Sequence, residues 1–257
     1  MRHWWNSLYR RSVVAALVLM VPAVGNAQRS SLTADQIIAA NVAARGGLAN
    51  LVNVKSELLI GHIIFSNGAA HSLTVHLARP NRVRTEIGFD NGCVEQAYDG
   101  HVGWTVSTIP GQRDTVAHQL PPGETQNIAA GGDIDGPLIQ YEAKGNRIAA
   151  AGIDTANGRA AYKLDVVTAS GLTDTYYIDT TSHLQTKWEG RRTIGGKPVV
   201  FQSYFRDYRR VSGVMIAFTI ESSTEGQPGG QRITLDSVQI NTVMPEEEFA
   251  MPGSATP

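Results

Sequence analysis

The strongest constraint on this chain is an alternation of apolar and polar residues in short runs that are separated by turn-forming dipeptides. Asn-Gly and Asp-Gly favour tight hairpins, because both central residues of a type I′ turn take positive φ. A period of two places the apolar side chains on one face of a strand. The sequence therefore predicts an antiparallel β fold with one apolar face. The turn dipeptides are Asn67-Gly68, Asn91-Gly92, Asp99-Gly100, Asn157-Gly158, Ser170-Gly171, Gly195-Gly196 and Ser212-Gly213.

Several runs show the alternation clearly enough to assign residues to a common face. These sets are Leu73, Val75 and Leu77; Val83, Ile87 and Phe89; Val102, Trp104 and Val106; Tyr162, Leu164 and Val166; and Val214, Ile216, Phe218 and Ile220. Near the C-terminus the phase changes: Leu235 and Val238 are both apolar but are separated by two residues. Such a slip at Asp236-Ser237 indicates a β-bulge.

Two segments depart from the strand pattern. Thr33 followed by Gln36 forms a capping-box pattern, so we predict an amphipathic helix from Ala34 to Arg45 that ends at the following glycine pair. The segment from Leu120 to Tyr141 is rich in Pro and Gly and predicts two short helices with flexible joints.

Asp133 and Asp135 lie within the second segment, just before Gly136-Pro137. They resemble part of a calcium loop, but the spacing beyond them does not continue the pattern. We therefore expect them to cap a helix that begins near Gly136-Pro137.

An apolar sheet face must be covered by another layer. Two short helical elements are not expected to fill the concave side of a long, curved sheet, so a pocket between the sheet and the helices is predicted. A fully packed core is the alternative, and the alternation alone does not distinguish the two.

Residues 1–27 are predicted to form a secretory signal peptide that is cleaved after Ala27. A basic stretch without acidic residues precedes an apolar run over 12–24, which is too short for a bilayer core of about 20 residues. An uncleaved anchor is the alternative, and Arg10-Arg11 leaves the general and the twin-arginine export routes open. Residues 28–257 are expected to form one periplasmic domain with a sizeable core.

Composition and motifs narrow the function classes. The chain has 22 basic and 23 acidic residues without a basic stripe, which argues against nucleic-acid binding. The one cysteine, Cys93, is expected to be a small buried residue, and it excludes an intramolecular disulfide and a cysteine-based zinc site. The sequence contains none of the common hydrolase, zinc-protease or nucleotide-binding motifs, so neither enzymatic activity nor a cofactor is expected.

Histidines and aromatic residues suggest two further sites. His62 and His76 could face each other across a hairpin with His71 near its tip, but no third ligand accompanies them, so no metal is expected. Strand aromatics are more often packed than ligand-lining, and Trp104 is the one that we expect to line a ligand site. The other aromatic candidates are Trp188, Tyr176, Tyr177, Tyr204 and Tyr208.

Three short motifs carry a resemblance to a known family. They are Arg79-Pro80-Asn81 at a strand end, the stretch 98–104 with its Asp-Gly turn and Trp strand, and the stretch 235–252 with its Phe-x-x-Pro tail. In this order, the motifs resemble those of the LolA-like family of periplasmic lipoprotein carriers. The resemblance implies a mainly β (α+β) fold, in which an unclosed antiparallel β half-barrel is covered by an N-terminal helix and a helical lid.

The resemblance also implies a function: binding the acyl chains of lipoproteins, or a related lipid, in a hydrophobic cavity for transfer towards the outer membrane. Arg79 matches an arginine that bonds lid main-chain carbonyls in the family, and it is expected to form the gate together with Asp133 and Asp135 of the lid. The residues expected to line the cavity are Leu73, Val75, Leu77, Val83, Phe89, Trp104, Ile216 and Phe218.

The expected partners are a lipid or an acylated lipoprotein, with transient contacts to membrane export or receptor proteins, and the protein is expected to be a monomer. The chain is longer than the sorting carrier, especially over 185–232, and its lid segment differs, so the cargo stays open. A lipid-sensing or interaction module of the same fold and a hydrolase are the alternatives.

Overall fold

The computed structural model describes residues 32–111, 116–194, 197–226 and 229–253, so the predicted signal peptide and the Gly195-Gly196 turn lie outside the described residues. The helices are α1 (Ala34–Ala44), α2 (Leu48–Asn53) and α3 (Pro122–Gly131), and a 3-10 helix follows at Glu246–Glu248. Within the described ranges, none of the helices has the length and apolar character needed to cross a membrane.

The strands form one antiparallel sheet. They are β1 (Ser56–Phe65), β2 (Ala70–Ala78), β3 (Arg82–Phe89), β4 (Gly92–Tyr98), β5 (Gly103–Ser107), β6 (His118–Gln119), β7 (Arg147–Ala156), β8 (Arg159–Val167), β9 (Thr173–Asp179), β10 (Gln185–Ile194), β11 (Lys197–Val211), β12 (Val214–Thr224) and β13 (Gly230–Ile240). Their order is β6-β5-β4-β3-β2-β1-β13-β12-β11-β10-β9-β8-β7. The first meander is β1–β6 and the second is β7–β13, and the two join where β1 pairs with β13. The sheet is unclosed, and the chain between its two edge strands, β6 and β7, contains α3.

The ends of the strands coincide with the predicted turn dipeptides. Every predicted turn dipeptide within the described residues lies at the junction of two strands. The β-bulge is confirmed as well: Ile60 pairs with Ser237 and Gly61 pairs with Leu235, which leaves Asp236 as the extra residue in β13. The extra residue bends β13 and shifts the alternation by one position, so the apolar residues before and after it both keep a period of two.

Helix α1 begins as the sequence predicts, with Thr33 and Gln36 forming the reciprocal capping box. Ile37 and Ile38 of α1 are buried against Leu164 and Ile178 of the second meander. This packing covers one end of the sheet and leaves the C-terminus of α1 over the middle of the concave face.

A tight contact between backbones fixes the end of α1. Gly46 has φ +121°, and a Cβ atom at this position would lie 2.2 Å from the Gly213 carbonyl oxygen, closer than any side chain allows. The Met215 amide donates to the Arg45 carbonyl oxygen at 2.9 Å. Arg45 is therefore held against the β11–β12 hairpin.

Side-chain direction divides the sheet into two faces, because directly paired residues on antiparallel strands project to the same side. Leu59 faces the concave side together with its partner Val75. Trp104 pairs with Ala97, Ala97 with Arg84, and Arg84 with His76. Since His76 alternates with Val75, Trp104 lies on the opposite, convex face.

The C-terminal segment covers the convex face around Trp104. The indole nitrogen of Trp104 donates to the Phe249 carbonyl oxygen at 2.8 Å, and both side chains are fully buried. Arg84 Nη1 donates to Glu248 at 2.7 Å, and Arg82 forms an ion pair with Glu246 at 2.8 Å. The predicted Phe-x-x-Pro tail is thus a structural cover of β3–β5.

The second predicted lid helix is wrong. The chain is helical over Pro122–Gly131 and then runs through turns between residues 132 and 145. Asp133 and Asp135 therefore cap no helix at Gly136-Pro137. They form ion pairs instead, Asp133 with Lys144 at 2.6 Å and Asp135 with Arg79 at 2.6 Å.

Candidate functional site

A partly open cavity of about 1030 Å³ lies on the concave side of the sheet. This volume is at the upper end of the range of about 300–1,000 Å³ that is typical of ligand pockets. Strands β1 and β9–β13 form its floor, and the end of α3 with the turns that follow forms its cover. Its large apolar and aromatic lining residues are Leu59, Phe65, Ile134, Leu138, Tyr176, Trp188, Phe201, Phe205, Tyr208, Met215, Ile216, Ile220 and Leu235.

The tyrosines of the wall stay uncharged. Burial is the main cause that raises the pKa of Tyr176 and of Tyr208. The hydroxyl group of Tyr208 donates to the Gln185 carbonyl oxygen at 2.8 Å. Because its polar atom is already bonded within the protein, this ring presents an apolar surface to the cavity.

The lid, which we define as residues 120–145, packs closely on the first meander. A Cβ atom at Gly103 would lie 2.7 Å from the Thr125 hydroxyl of α3, and one at Gly132 would lie 2.6 Å from Asn81 Oδ1. Glycine at both positions lets α3 approach the concave side of β3–β5. The lid therefore fills this half of the sheet and leaves the cavity to the other half.

Arg79 fastens the lid to the strand end. Its guanidinium donates to both carboxylate oxygens of Asp135, at 2.7 and 2.6 Å. It also donates to the carbonyl oxygens of Val54, at 2.6 Å, and Leu51, at 3.3 Å, at the end of α2. Arg79 thus meets the lid through a carboxylate, whereas the resemblance implied main-chain carbonyls. A bidentate arginine–carboxylate pair combines charge with a fixed geometry.

The electrostatics around Arg79 and Asp135 favour the ionised pair. Burial alone would raise the pKa of Asp135, but the hydrogen bonds and charge of Arg79 outweigh burial and hold this pKa below its usual range. The hydrogen bond to Asp135 raises the pKa of Arg79. Asp135 is 5% exposed and lines the cavity.

A second polar cluster lies at the opposite side of the cavity. Arg192 donates to Asp174 at 2.8 Å and to Asn127 of α3 at 3.3 Å. Its guanidinium carbon lies 5.8 Å from the centre of the Trp188 ring. The Trp188 ring crosses Gly190, where a Cβ atom would lie 2.4 Å from the ring, so glycine allows the indole to lie flat along this wall.

Glu57 of β1 and Arg45 at the end of α1 also line the cavity, near the Arg79–Asp135 ion pair. Arg45 Nη1 donates to the Asp135 carbonyl oxygen at 3.2 Å. Burial raises the pKa of Glu57 to about 7, and the charges of Arg45 and Arg79 lower it only in part. Sequence reasoning missed Glu57, although a carboxyl in phase with Leu59 on a buried face is a signal that the sequence contains.

Ile216 is the one residue of the predicted cavity set that lines this cavity. Leu73, Leu77 and Val83 are buried on the concave face of the first meander, which the lid covers. Val75 shares that face. Phe89 packs against His71, with ring centres 4.4 Å apart. Phe218 is buried under Arg209, whose guanidinium carbon lies 4.3 Å from its ring centre.

Trp104, the aromatic residue that was expected to line a ligand site, does not line this cavity. Trp188, Tyr176 and Tyr208 line the cavity, while Trp104 is buried beneath the C-terminal segment on the other face. Tyr177 and Tyr204 pair with Lys187, next to Trp188 in the strand, and therefore lie on the convex face. The second meander supplies the aromatic wall.

The expected histidine pair is not formed. His62 pairs with Ser72 and contacts Asp236 at 2.9 Å, whereas His76 pairs with Leu58 and contacts Glu248 at 3.4 Å. The hairpin register places the two residues four positions apart, so they cannot share an ion. Within the described part of the chain, no three His, Cys, Asp or Glu side chains form a group suited to a metal.

Cys93 is half-buried rather than buried. Its sulfur lies 3.4 Å from the Thr108 hydroxyl oxygen. The expectation of a small buried core residue is therefore wrong: Cys93 lies beside the turn at Asn91-Gly92, near the start of β4.

Solved structures of low sequence identity share this fold. A candidate outer membrane lipoprotein-sorting protein domain from Vibrio parahaemolyticus gives a TM-score of 0.56 at 12% identity, over 84% of this chain and 97% of that chain. A DUF1329 family protein from Desulfovibrio piger gives 0.58 at 9% identity, over 84% and 97%. A LolA superfamily protein from Nitrosomonas europaea gives 0.56 at 10% identity, over 86% and 98%. No family model and no curated protein matches the sequence.

The fold class follows from the topology and these superpositions together. The protein has a LolA-like fold, an unclosed antiparallel β half-barrel with a few helices, as the sequence motifs implied. At these identities, the likeness establishes the fold alone.

Proposed function

We propose that this protein is an exported carrier that holds the acyl chains of a lipoprotein, or a related lipid, and passes them towards the outer membrane. The observation that carries this proposal is the cavity of about 1030 Å³ beneath a lid that one ion pair, Arg79–Asp135, fastens to the sheet. The fold likeness to a lipoprotein-sorting domain and a LolA superfamily protein supports the same class of ligand.

The energetics suit a carrier. Each CH₂ group removed from water contributes about 0.8 kcal/mol, so a single acyl chain of twelve carbons offers roughly 9 kcal/mol before the cost of association. Association costs about 4–15 kcal/mol, so a single chain of this length is held weakly at best and can be released. Aromatic and aliphatic walls supply this gain without requiring catalytic groups.

Export to the periplasm, cleavage after Ala27 and action as a monomer belong to the same proposal. Native mass spectrometry of protein purified from the periplasm, followed by lipid extraction, tests it. We expect a bound lipid or acylated protein and a mature N-terminus at Gln28. Consistently empty protein that binds no acyl ligand in solution would overturn the carrier function.

A variant that fills the cavity tests the binding site. Ser203 and Ser222 are paired across β11 and β12 on the cavity wall, with their hydroxyl oxygens 2.9 Å apart. Ser222→Trp is expected to abolish binding of the apolar dye N-phenyl-1-naphthylamine. Thr219→Trp is the matched control, because Thr219 lies on the other face of the same strand. Equal dye binding by both variants would argue against this cavity as the site.

One observation favours an enzymatic alternative. A carboxyl group whose pKa is raised to about 7, such as Glu57, can act as a general acid or base. Incubation with 4-nitrophenyl dodecanoate distinguishes the two functions: a carrier binds this ester unchanged, whereas a hydrolase adds water and releases 4-nitrophenol and dodecanoate. Turnover that Glu57→Gln abolishes would favour the hydrolase.

A further inference from the structure

The carboxyl group of Glu57 is unusual among the charged groups of the cavity. Asp135 is bonded to Arg79, Asp133 to Lys144, and Asp174 to Arg192. Within the residues that the structure describes, the Glu57 carboxyl has neither a hydrogen-bond nor an ion-pair partner. A half-buried carboxyl that faces a cavity without a partner leaves hydrogen-bonding capacity for a ligand.

Register determines where Glu57 points. It pairs with Leu77 of β2 and Ile240 of β13, and it alternates in phase with Leu59 on the concave face. Leu77 is two residues before Arg79, so Glu57 lies directly below the gate. Its strand neighbours bring no charge towards it.

Arg45 is the complementary group. Its guanidinium uses one nitrogen, Nη1, to bond the Asp135 carbonyl oxygen, and it lines the same cavity as Glu57. The charge of Arg45 is the largest of those that lower the pKa of Glu57, yet the two side chains form no direct ion pair among the described residues. A space therefore separates a guanidinium from a carboxyl at the gate end of an apolar cavity.

We propose that Arg45 and Glu57 form a polar subsite for the carbonyl group at the head of an acyl chain, either a free carboxylate or an ester or amide carbonyl. Arg45 donates hydrogen bonds to the carbonyl oxygen, and the protonated Glu57 donates a further one. The chain then extends from the gate along the aromatic wall of the second meander. This subsite rests on the proposed function and names the chemical group that its ligand presents.

Burial, opposed by the charged groups that face Glu57, sets the direction of its pH dependence. They are Arg45 at the end of α1, Arg79 at the end of β2 and Asp135 in the lid. Arg79 and Asp135 neutralise each other, and burial of Glu57 outweighs the remaining charges. Below pH 7 Glu57 carries a proton and donates; above pH 7 it is ionised and repels a carboxylate.

Displacement of N-phenyl-1-naphthylamine by twelve-carbon ligands tests the subsite. The ligands are dodecanoate, dodecanamide and dodecylamine, each at pH 6 and pH 8, with wild-type protein and Glu57→Gln, Arg45→Gln and Arg45→Lys variants. Arg206→Gln is the control, since Arg206 lies outside the cavity wall. Far-ultraviolet circular dichroism checks that every variant is folded.

The expected pattern is specific. Wild-type protein binds dodecanoate about tenfold more tightly at pH 6 than at pH 8, the factor that one charge-assisted hydrogen bond supplies. Glu57→Gln retains the tighter affinity at both pH values, because an amide donates at either. Arg45→Gln weakens dodecanoate at least about tenfold, more than it weakens dodecanamide, and Arg45→Lys restores part of the loss.

The outcomes separate the subsite from the proposed function. Equal binding of all three ligands, unaltered by pH or by substitution of Glu57 or Arg45, would overturn the subsite and leave the carrier function intact. Tighter binding of dodecylamine than of dodecanoate at pH 6, where Glu57 is protonated, would also overturn it. Failure of every ligand to bind would overturn the carrier function itself. A preference for dodecanamide over dodecanoate at pH 6 identifies acylated lipid, rather than free fatty acid, as the source.

Discussion

Substitution of the Arg79–Asp135 ion pair is expected to destabilise the lid by a measurable amount. Asp135→Asn keeps the shape of the side chain but removes its charge and turns one acceptor into a donor that faces Arg79. Arg79→Met keeps the aliphatic stem but removes all four hydrogen bonds of the guanidinium, two to Asp135 and one each to Leu51 and Val54.

The magnitudes follow from burial. A hydrogen bond to a charged group contributes about 1.5–3 kcal/mol, so Asp135→Asn, which loses one of two, should cost about 2–3 kcal/mol. Arg79→Met leaves an ionised carboxyl buried without its partner, which costs about 3–5 kcal/mol for a buried pair. The Arg79 side chain is 26% exposed, so we expect the lower end of this range. The double variant should cost less than the sum of the two single variants.

Urea unfolding monitored by circular dichroism measures the global effect, and amide hydrogen exchange over residues 133–145 measures local opening of the lid. The control is Arg206→Met, because its partner Glu221 is also paired with Arg232 at 2.9 Å. An exposed pair of this kind contributes at most about 1 kcal/mol. If Asp135→Asn matches Arg206→Met in both measurements, the pair does not fasten the lid.

Three further predictions concern other parts of the molecule. The raised pKa of Glu57 stabilises the fold below pH 4.5, and this contribution is lost as the pH rises through about 7. The free energy of unfolding of the wild type, measured with urea, should therefore fall across that interval by roughly 3 kcal/mol at most, and Glu57→Gln should flatten this pH dependence. Trp104→Phe should lower the free energy of unfolding by about 1–3 kcal/mol through the lost bond to Phe249 without changing dye affinity, whereas Trp188→Leu should weaken dye binding; the reverse result would reassign the ligand wall. Thr33→Ala should cost about 1 kcal/mol in urea unfolding by removing the capping box, and an unchanged midpoint would show that α1 is held by packing alone.

Local chemistry accounts for the parts of the fold that were predictable. Thr33 and Gln36 define the start of α1 because the capping box needs no tertiary partner. The turn dipeptides mark strand ends for the same reason, and the phase slip at Asp236 indicates a bulge because alternation is a property of one strand.

The faces of different strands were harder to relate. Alternation shows that Trp104 shares a face with Val106, but it does not show whether Trp104 faces the same side as Leu77. That relation depends on a series of cross-strand pairings, through Ala97, Arg84 and His76, and a single change of register reverses it. The prediction of Trp104 as a cavity residue required this information, which the sequence alone does not contain.

The position of the cavity depends on the path of the lid. Because the two meanders join in the middle of the sheet, one connection must span the open side from β6 to β7. Its first part, α3, approaches β3–β5 through Gly103 and Gly132 and occupies that half of the concave face. Its second part forms turns, which bury Leu138 and Ile139 in the core but leave the cavity unfilled beside them. The cavity is therefore a consequence of an asymmetric lid on a nearly symmetric sheet.

Under the proposed carrier function, the same asymmetry predicts the order in which the lid would open. One side is held by the bidentate ion pair between Arg79 and Asp135. On the other side, α3 is held by hydrogen bonds to neutral acceptors, from Arg192 to Asn127 at 3.3 Å and from Gln126 to the Ser170 carbonyl oxygen at 2.7 Å. A bidentate pair of two charged groups is stronger than bonds in which at most one group is charged, so the β10 side should release first. A ligand whose head lies beside Glu57 would then remain under the stronger fastening while its chain is exposed along the aromatic wall, which is the order that delivery of an acyl chain requires.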